Sequence, residues 1–155
     1  MKTLVMYFSA ESGRTAALAK VIAEEAAADL FEIKPEKPYS KADLNYLNPL
    51  SRVNLEKIGN KEVPTAGVPE HFEQYEQVLI GFPIWYAGAP NVVISFCKSL
   101  DWNGKKAAVF ATSGGSGIGK TAEKLAPFVK GAEIHGAKLF TEADAETVRD
   151  WLKSL

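Results

Sequence analysis

The sequence predicts a three-layer α/β sandwich, a five-stranded parallel sheet of strand order 2-1-3-4-5 with helices on both faces. Three observations predict it. Apolar, β-branched runs alternate with helical runs, as in a parallel sheet covered on both sides. Three of the expected strands empty into glycine-, hydroxyl- or aromatic-bearing loops, the features that gather outside the carboxyl ends of strands in such a sheet. The 155 residues, 46% hydrophobic and 24% charged, suit a single domain, expected over 1–155, with an adequate core.

Thr3–Phe8 is apolar and rich in β-branched and aromatic residues, a buried first strand. Thr15–Ala28 follows as a helix, with Leu18, Val21 and Ile22 at helical spacing among alanines. Asp29–Ile33 is a short second strand. From Pro35 to Tyr75 the chain is polar and interrupted by prolines. Ser40-Lys41-Ala42-Asp43 there resembles a capping box, opening a helix that Pro49 breaks. Gln77–Phe82 is the third strand, followed by a helix of about ten residues starting near Pro90, a residue suited to a first helical turn. Lys106–Thr112 is the fourth strand, Lys120–Phe128 a helix, Ala137–Phe140 the fifth strand and Asp144–Leu155 the closing helix.

Composition narrows the function. A formal charge of -1 with no basic block argues against nucleic-acid binding. No apolar run approaches the roughly 20 residues that cross a bilayer, and the N-terminal apolar run is too short for a secretory signal. A cytoplasmic, monomeric protein is the expectation. The single cysteine, Cys97, lies in an apolar helical stretch and reads as core, while His71 and His135 lack metal-ligand company. No metal site and no catalytic acid or base is expected.

The strand-to-loop-to-helix passage through Ser9, Glu11, Ser12, Gly13, Arg14 and Thr15 suits a phosphate. Amide N–H groups at a helix start have no intrahelical partner and lie at the positive end of its dipole. The second loop, Pro83, Ile84, Trp85, Tyr86, Ala87 and Gly88, offers aromatic faces. The third, Thr112, Ser113, Gly114, Gly115, Ser116 and Gly117, offers backbone amides. With order 2-1-3-4-5 all three lie along one crevice, and a planar aromatic ligand with a phosphate tail satisfies them together.

Tyr7-Phe8-Ser9-x-x-Ser12-Gly13-x-Thr15, Gly81-Phe82-Pro83-Ile84-Trp85-Tyr86-x-Gly88-x-Pro90 and Phe110-Ala111-Thr112-Ser113-Gly114-Gly115-Ser116-Gly117 resemble the flavodoxin family, its short-chain members in particular. The resemblance runs from about Thr3 to Phe140. It implies noncovalent FMN and one- or two-electron transfer between partner proteins, a reductase and an electron acceptor. It also implies that the first loop holds the FMN phosphate and that Pro83–Gly88 and Thr112–Gly117 enclose the isoalloxazine ring. An aromatic wall there disfavours added negative charge on the ring and lowers the second reduction potential. Arg14 stands where the family often carries a neutral residue, and the near-neutral charge differs from the acidic electron carriers. That difference brings an FMN-dependent oxidoreductase, acting on a small molecule or a dedicated partner, into view as the alternative.

A rival signature overlaps the third loop. Gly114-Gly115-Ser116-Gly117-Ile118-Gly119-Lys120-Thr121 fits the nucleotide P-loop pattern and follows a strand. Against it, Ala137–Phe140 runs into Thr141-Glu142 rather than a magnesium-holding Asp, and the reading leaves the other two loops without a role.

Overall fold

The computed structural model describes residues 2–10, 13–59, 61–113 and 117–155. Strand β1 (Thr3–Tyr7) leads into helix α1 (Arg14–Ala26), and β2 (Asp29–Glu32) follows. A two-stranded antiparallel ribbon, β3 (Lys34–Pro35) with β4 (Thr65–Ala66), brackets helix α2 (Arg52–Ile58). Then come β5 (Gln77–Pro83), α3 (Asn91–Lys98), β6 (Lys106–Thr112), α4 (Thr121–Leu125), β7 (Glu133–Leu139) and α5 (Ala145–Ser154). The main sheet is parallel throughout, in the order β2-β1-β5-β6-β7. Counted along the chain, that is the expected 2-1-3-4-5.

Strand residues alternate between two apolar layers because successive side chains point to opposite faces. Val5, Tyr7, Leu79, Ala108 and Phe110 pack under α1 and α5, against Leu18, Ile22, Val148 and Trp151. Leu4, Met6, Val78, Ile80, Phe82 and Val109 face the opposite way, toward Val92, Val93, Phe96 and Cys97 of α3 and toward Leu125. Cys97 is fully buried, and burial pushes its thiol up to about 12. It is a core residue, as expected.

Three expectations need correction. The capping box forms, with the Ser40 N–H donating to Asp43 (3.0 Å) and the Asp43 N–H to Ser40 Oγ (3.1 Å), yet it closes turns rather than a helix. The helix of this region starts beyond Pro49, at Arg52, because the proline ring disfavours helix in the residue before it. The last strand begins at Glu133, not Ala137. A register shift opposite Ala107 and Ala108 pairs them with Ile134 and Gly136, leaving His135 as the extra residue of a bulge. That bulge breaks the alternation by which strands are read. Helix α4 ends at Leu125 and continues as a 3₁₀ turn, Ala126–Phe128, around Pro127.

Candidate functional site

The loops that leave β1, β5 and β6 emerge from three adjacent strands at one rim of the sheet. In the first, Gly13 adopts φ 70°, a left-handed conformation that glycine reaches without strain, and turns the chain into α1. The Ala10 carbonyl accepts its N–H at 3.1 Å. Ser9 Oγ accepts the Ala16 N–H at 3.2 Å, holding the helix start from outside. Thr15 is buried, its hydroxyl 2.8 Å from that of Thr112, and Arg14 Nη1 donates to the Ser113 carbonyl at 3.3 Å. The first and third loops are therefore stitched together. The Thr15 hydroxyl serves that stitching, whereas Ser9 Oγ bonds locally, to the Ala16 N–H and the Ala10 carbonyl. Glu11, Ser12, Gly114, Gly115 and Ser116 lie outside the described residues. Gly117 is exposed.

The second loop is a tight reversal. Trp85 and Gly88 exchange two backbone hydrogen bonds, 2.9 and 3.1 Å, around Tyr86 (φ 54°) and Ala87 (φ 61°). Two central residues with positive φ make a type I′ turn, usually filled by Asn and Gly. Here both carry a Cβ, at a cost of about 1–2 kcal/mol each. The turn is held from outside: the Tyr86 hydroxyl donates to Asn54 Oδ1, and Lys124 Nζ donates to the Ala87 carbonyl at 3.1 Å. The Ile84 N–H continues the sheet by donating to Thr112 O at 2.8 Å. Pro83 ends β5 opposite Thr112, half-buried.

Trp85 is half-buried and clasped by two rings standing nearly perpendicular to it, Phe8 at 5.4 Å (85°) and Tyr39 at 5.5 Å (87°). Edge-to-face pairs of this kind contribute about 0.5–1.5 kcal/mol each beyond area burial. Tyr39 is anchored in turn. Its hydroxyl donates to Glu56 Oε1 at 2.5 Å, and the Arg52 guanidinium lies 4.0 Å from its ring centre. Burial, then the Glu56 contact, hold the Tyr39 phenol well above its ordinary pKa. Burial also raises that of Tyr86.

Beside this cluster lies a cleft of about 280 Å³, lined by Ala10, Leu44, Tyr46, Val53, Ile84, Trp85 and Tyr86. The structure thus brings Ile84, Trp85 and Tyr86 to one wall of a cavity, beside the loop that opens α1. Ala10, Tyr39, Leu44, Tyr46 and Val53 escaped the sequence reading. Their signal was two tyrosines and several leucines in an otherwise polar, proline-broken stretch. The P-loop pattern fares poorly by geometry. Thr121 is fully buried and donates its hydroxyl to Ile118 O, and α4 has five residues.

Fold and loop placement together define a doubly wound α/β protein with its distinctive loops crowded at the topological switch point. The chain belongs to the flavodoxin family, whose profile matches residues 2–155. It is similar to crystal structures of candidate flavoproteins from Bacteroides eggerthii (35% identity, TM-score 0.92, covering 98% of this chain and 96% of that one) and Bacteroides uniformis (37%, 0.92, 98% and 97%). A Lactobacillus acidophilus flavoprotein, crystallised in complex with FMN, shares the fold at 24% identity (TM-score 0.69, 97% and 98%). A search of curated proteins finds no match.

Proposed function

We propose that the protein binds FMN and carries electrons between a reductase and an acceptor protein. The observation that carries this reading is the meeting of the β1, β5 and β6 loops at one rim, beside a cleft walled by Trp85 and Tyr86. FMN is the cofactor of the family to which the chain belongs. The residues fit it: a cleft with aromatic and aliphatic lining reaches Ala10, in the loop that leads to α1.

On this reading Gly13, Arg14 and Thr15, with Ser9, Glu11 and Ser12, hold the phosphate through backbone amides and the helix dipole. Pro83–Gly88 forms one side of the ring site and Thr112–Gly117 the other. Bound flavin supplies the one- and two-electron chemistry. Trp85 would pack against the flavin and exclude water, and the Tyr86–Ala87 turn would offer it backbone groups. Among the described residues no helix is long and apolar enough to cross a membrane. A cytoplasmic monomer remains part of the proposal.

One observation favours a second reading, an FMN-dependent oxidoreductase acting on a small molecule. A cleft of about 360 Å³, lined by Phe8, Ser9, Ala10, Pro35 and Tyr39 among others, shares Ala10 with the first. It offers room for a second small ligand. Reduction of the FMN-loaded protein, followed by reoxidation, separates the two. A carrier passes electrons to an acceptor protein in second-order fashion. Saturating multiple turnover of benzoquinone in the presence of NADPH, with slow transfer to proteins, would support the enzyme instead.

A further inference from the structure

An unusual surface among the described residues lies on the proline-broken segment between β3 and β4. Tyr46 (71% exposed), Leu47 (77%), Leu50 (77%), Leu55 (42%) and Ile58 (80%) all fall within thirteen residues. Scattered exposed leucines are ordinary, but a cluster of this size marks an interaction site. The cluster is also held in place. Asn54 Nδ2 donates to the carbonyls of Tyr46 (2.9 Å) and Asn48 (2.7 Å), fastening the turns onto α2. Leu55 and Ile58, three apart on α2, share the face opposite buried Val53. The face runs into the proposed flavin site, since Tyr46 lines the 280 Å³ cleft and Lys57 Nζ lies 6.0 Å from the Tyr86 ring centre.

Charge selects the occupant. Residues 41–62 contain four cations, Lys41, Arg52, Lys57 and Lys61, and three carboxylates, Asp43, Glu56 and Glu62. Each carboxylate already faces a cation: Glu56 receives Arg52 Nε at 3.0 Å and the Tyr39 hydroxyl, Asp43 lies 3.8 Å from Arg52, and Glu62 accepts from Lys98. Lys57 and Lys61 are exposed, so what this face shows outward is apolar and positive, although the chain as a whole carries -1. A second copy docking by twofold symmetry sets the same net-positive patch against itself. An acidic rim meets no such repulsion.

Resting on the FMN electron-transfer reading, we propose that Tyr46, Leu47, Leu50, Leu55 and Ile58, with Lys57 and Lys61 at the edge, form the docking surface for an electron-transfer protein whose apolar contact patch has an acidic rim. The partner's redox centre is thereby brought against the Trp85–Tyr86 side of the cleft.

The test uses FMN-loaded full-length protein, reduced anaerobically and mixed with acidic cytochrome b5 or basic cytochrome c. Transfer to cytochrome b5 should slow as salt rises, and transfer to cytochrome c should not. Leu50→Ser combined with Ile58→Ser should slow transfer to cytochrome b5 about tenfold with FMN affinity unchanged. Lys61→Glu should slow cytochrome b5 about threefold at low salt and speed cytochrome c. Equal rates for all variants, or a salt response of the opposite sign, would overturn the proposal. So would a concentration-dependent dimer abolished by Leu50→Ser, or phosphatidylserine-vesicle binding abolished by Lys61→Glu, since each assigns the face to another occupant. Failure of the wild type to take up FMN overturns the flavin reading and this one with it. Intact uptake with unaltered transfer overturns the docking surface alone.

Discussion

The guanidinium of Arg52 lies over the ring of Tyr39, 4.0 Å from its centre, and both side chains end on the same Glu56 carboxylate. This arrangement backs the proposed flavin wall, because the Tyr39 ring in turn abuts Trp85. Arg52 also donates to the Lys37 and Pro38 carbonyls, at 2.7 and 3.3 Å, so one side chain fixes the strand-free stretch that carries Tyr39. Removing it loosens Trp85 from behind. Arg52→Met should cost about 2 kcal/mol in urea unfolding, and Tyr39→Phe about 1 kcal/mol. Both should weaken FMN and riboflavin to the same degree, since the defect lies on the ring side. A loss confined to FMN would place the network at the phosphate end instead.

Thr15 and Thr112 join the first and third loops through their buried hydroxyls, 2.8 Å apart. Thr15→Val keeps the shape and leaves the Thr112 hydroxyl without that partner, which should cost about 1–3 kcal/mol. Loosening the start of α1 should then reduce FMN affinity more than riboflavin affinity, as isothermal titration of both ligands would reveal. Thr15→Ser should restore most of each.

Gly81 is set by packing. A Cβ there would lie 2.0 Å from the Phe110 ring, inside the layer beneath α1. Gly81→Ala should destabilise by about 3 kcal/mol, as overpacking does, and Phe110→Leu in the same chain should recover part of it. Denaturant midpoints of the single and double variants measure this directly.

Alkaline stability should depend on two phenols. The Tyr75 hydroxyl donates to Asp29 at 2.6 Å, and burial together with that carboxylate raises its pKa to about 12. Tyr39 is raised too, by burial and then by Glu56. A raised folded-state pKa means the unfolded chain loses the proton first. The stability these groups contribute is complete below about pH 10. It should fall as pH rises from there toward about 12. Melting temperature should drop across that range, and Tyr75→Phe should flatten the drop.

Much of the fold was legible because its central strands are continuous apolar runs bounded by loops, as at Gln77–Pro83 and Lys106–Thr112. The edge strand β7 was half hidden, since its bulge at His135 and the glycine after it break the alternation. The rim loops were legible as a set from their residues and order. What could not be read was the cover over the cleft. Tyr39, Leu44, Tyr46 and Val53 reach Trp85 and Tyr86 through tertiary bonds such as Tyr86–Asn54 and Arg52–Tyr39, which leave no periodic trace in a proline-broken segment. The left-handed Tyr86–Ala87 turn was equally silent, because neither residue announces positive φ.

The most direct measurement is a titration of the apoprotein with FMN, following flavin fluorescence, in wild type and Trp85→Ala. The account predicts one FMN per chain, strong quenching in the wild type, and weaker binding with brighter bound flavin in the variant. Absence of FMN binding, or identical affinity and quenching in both proteins, would contradict it.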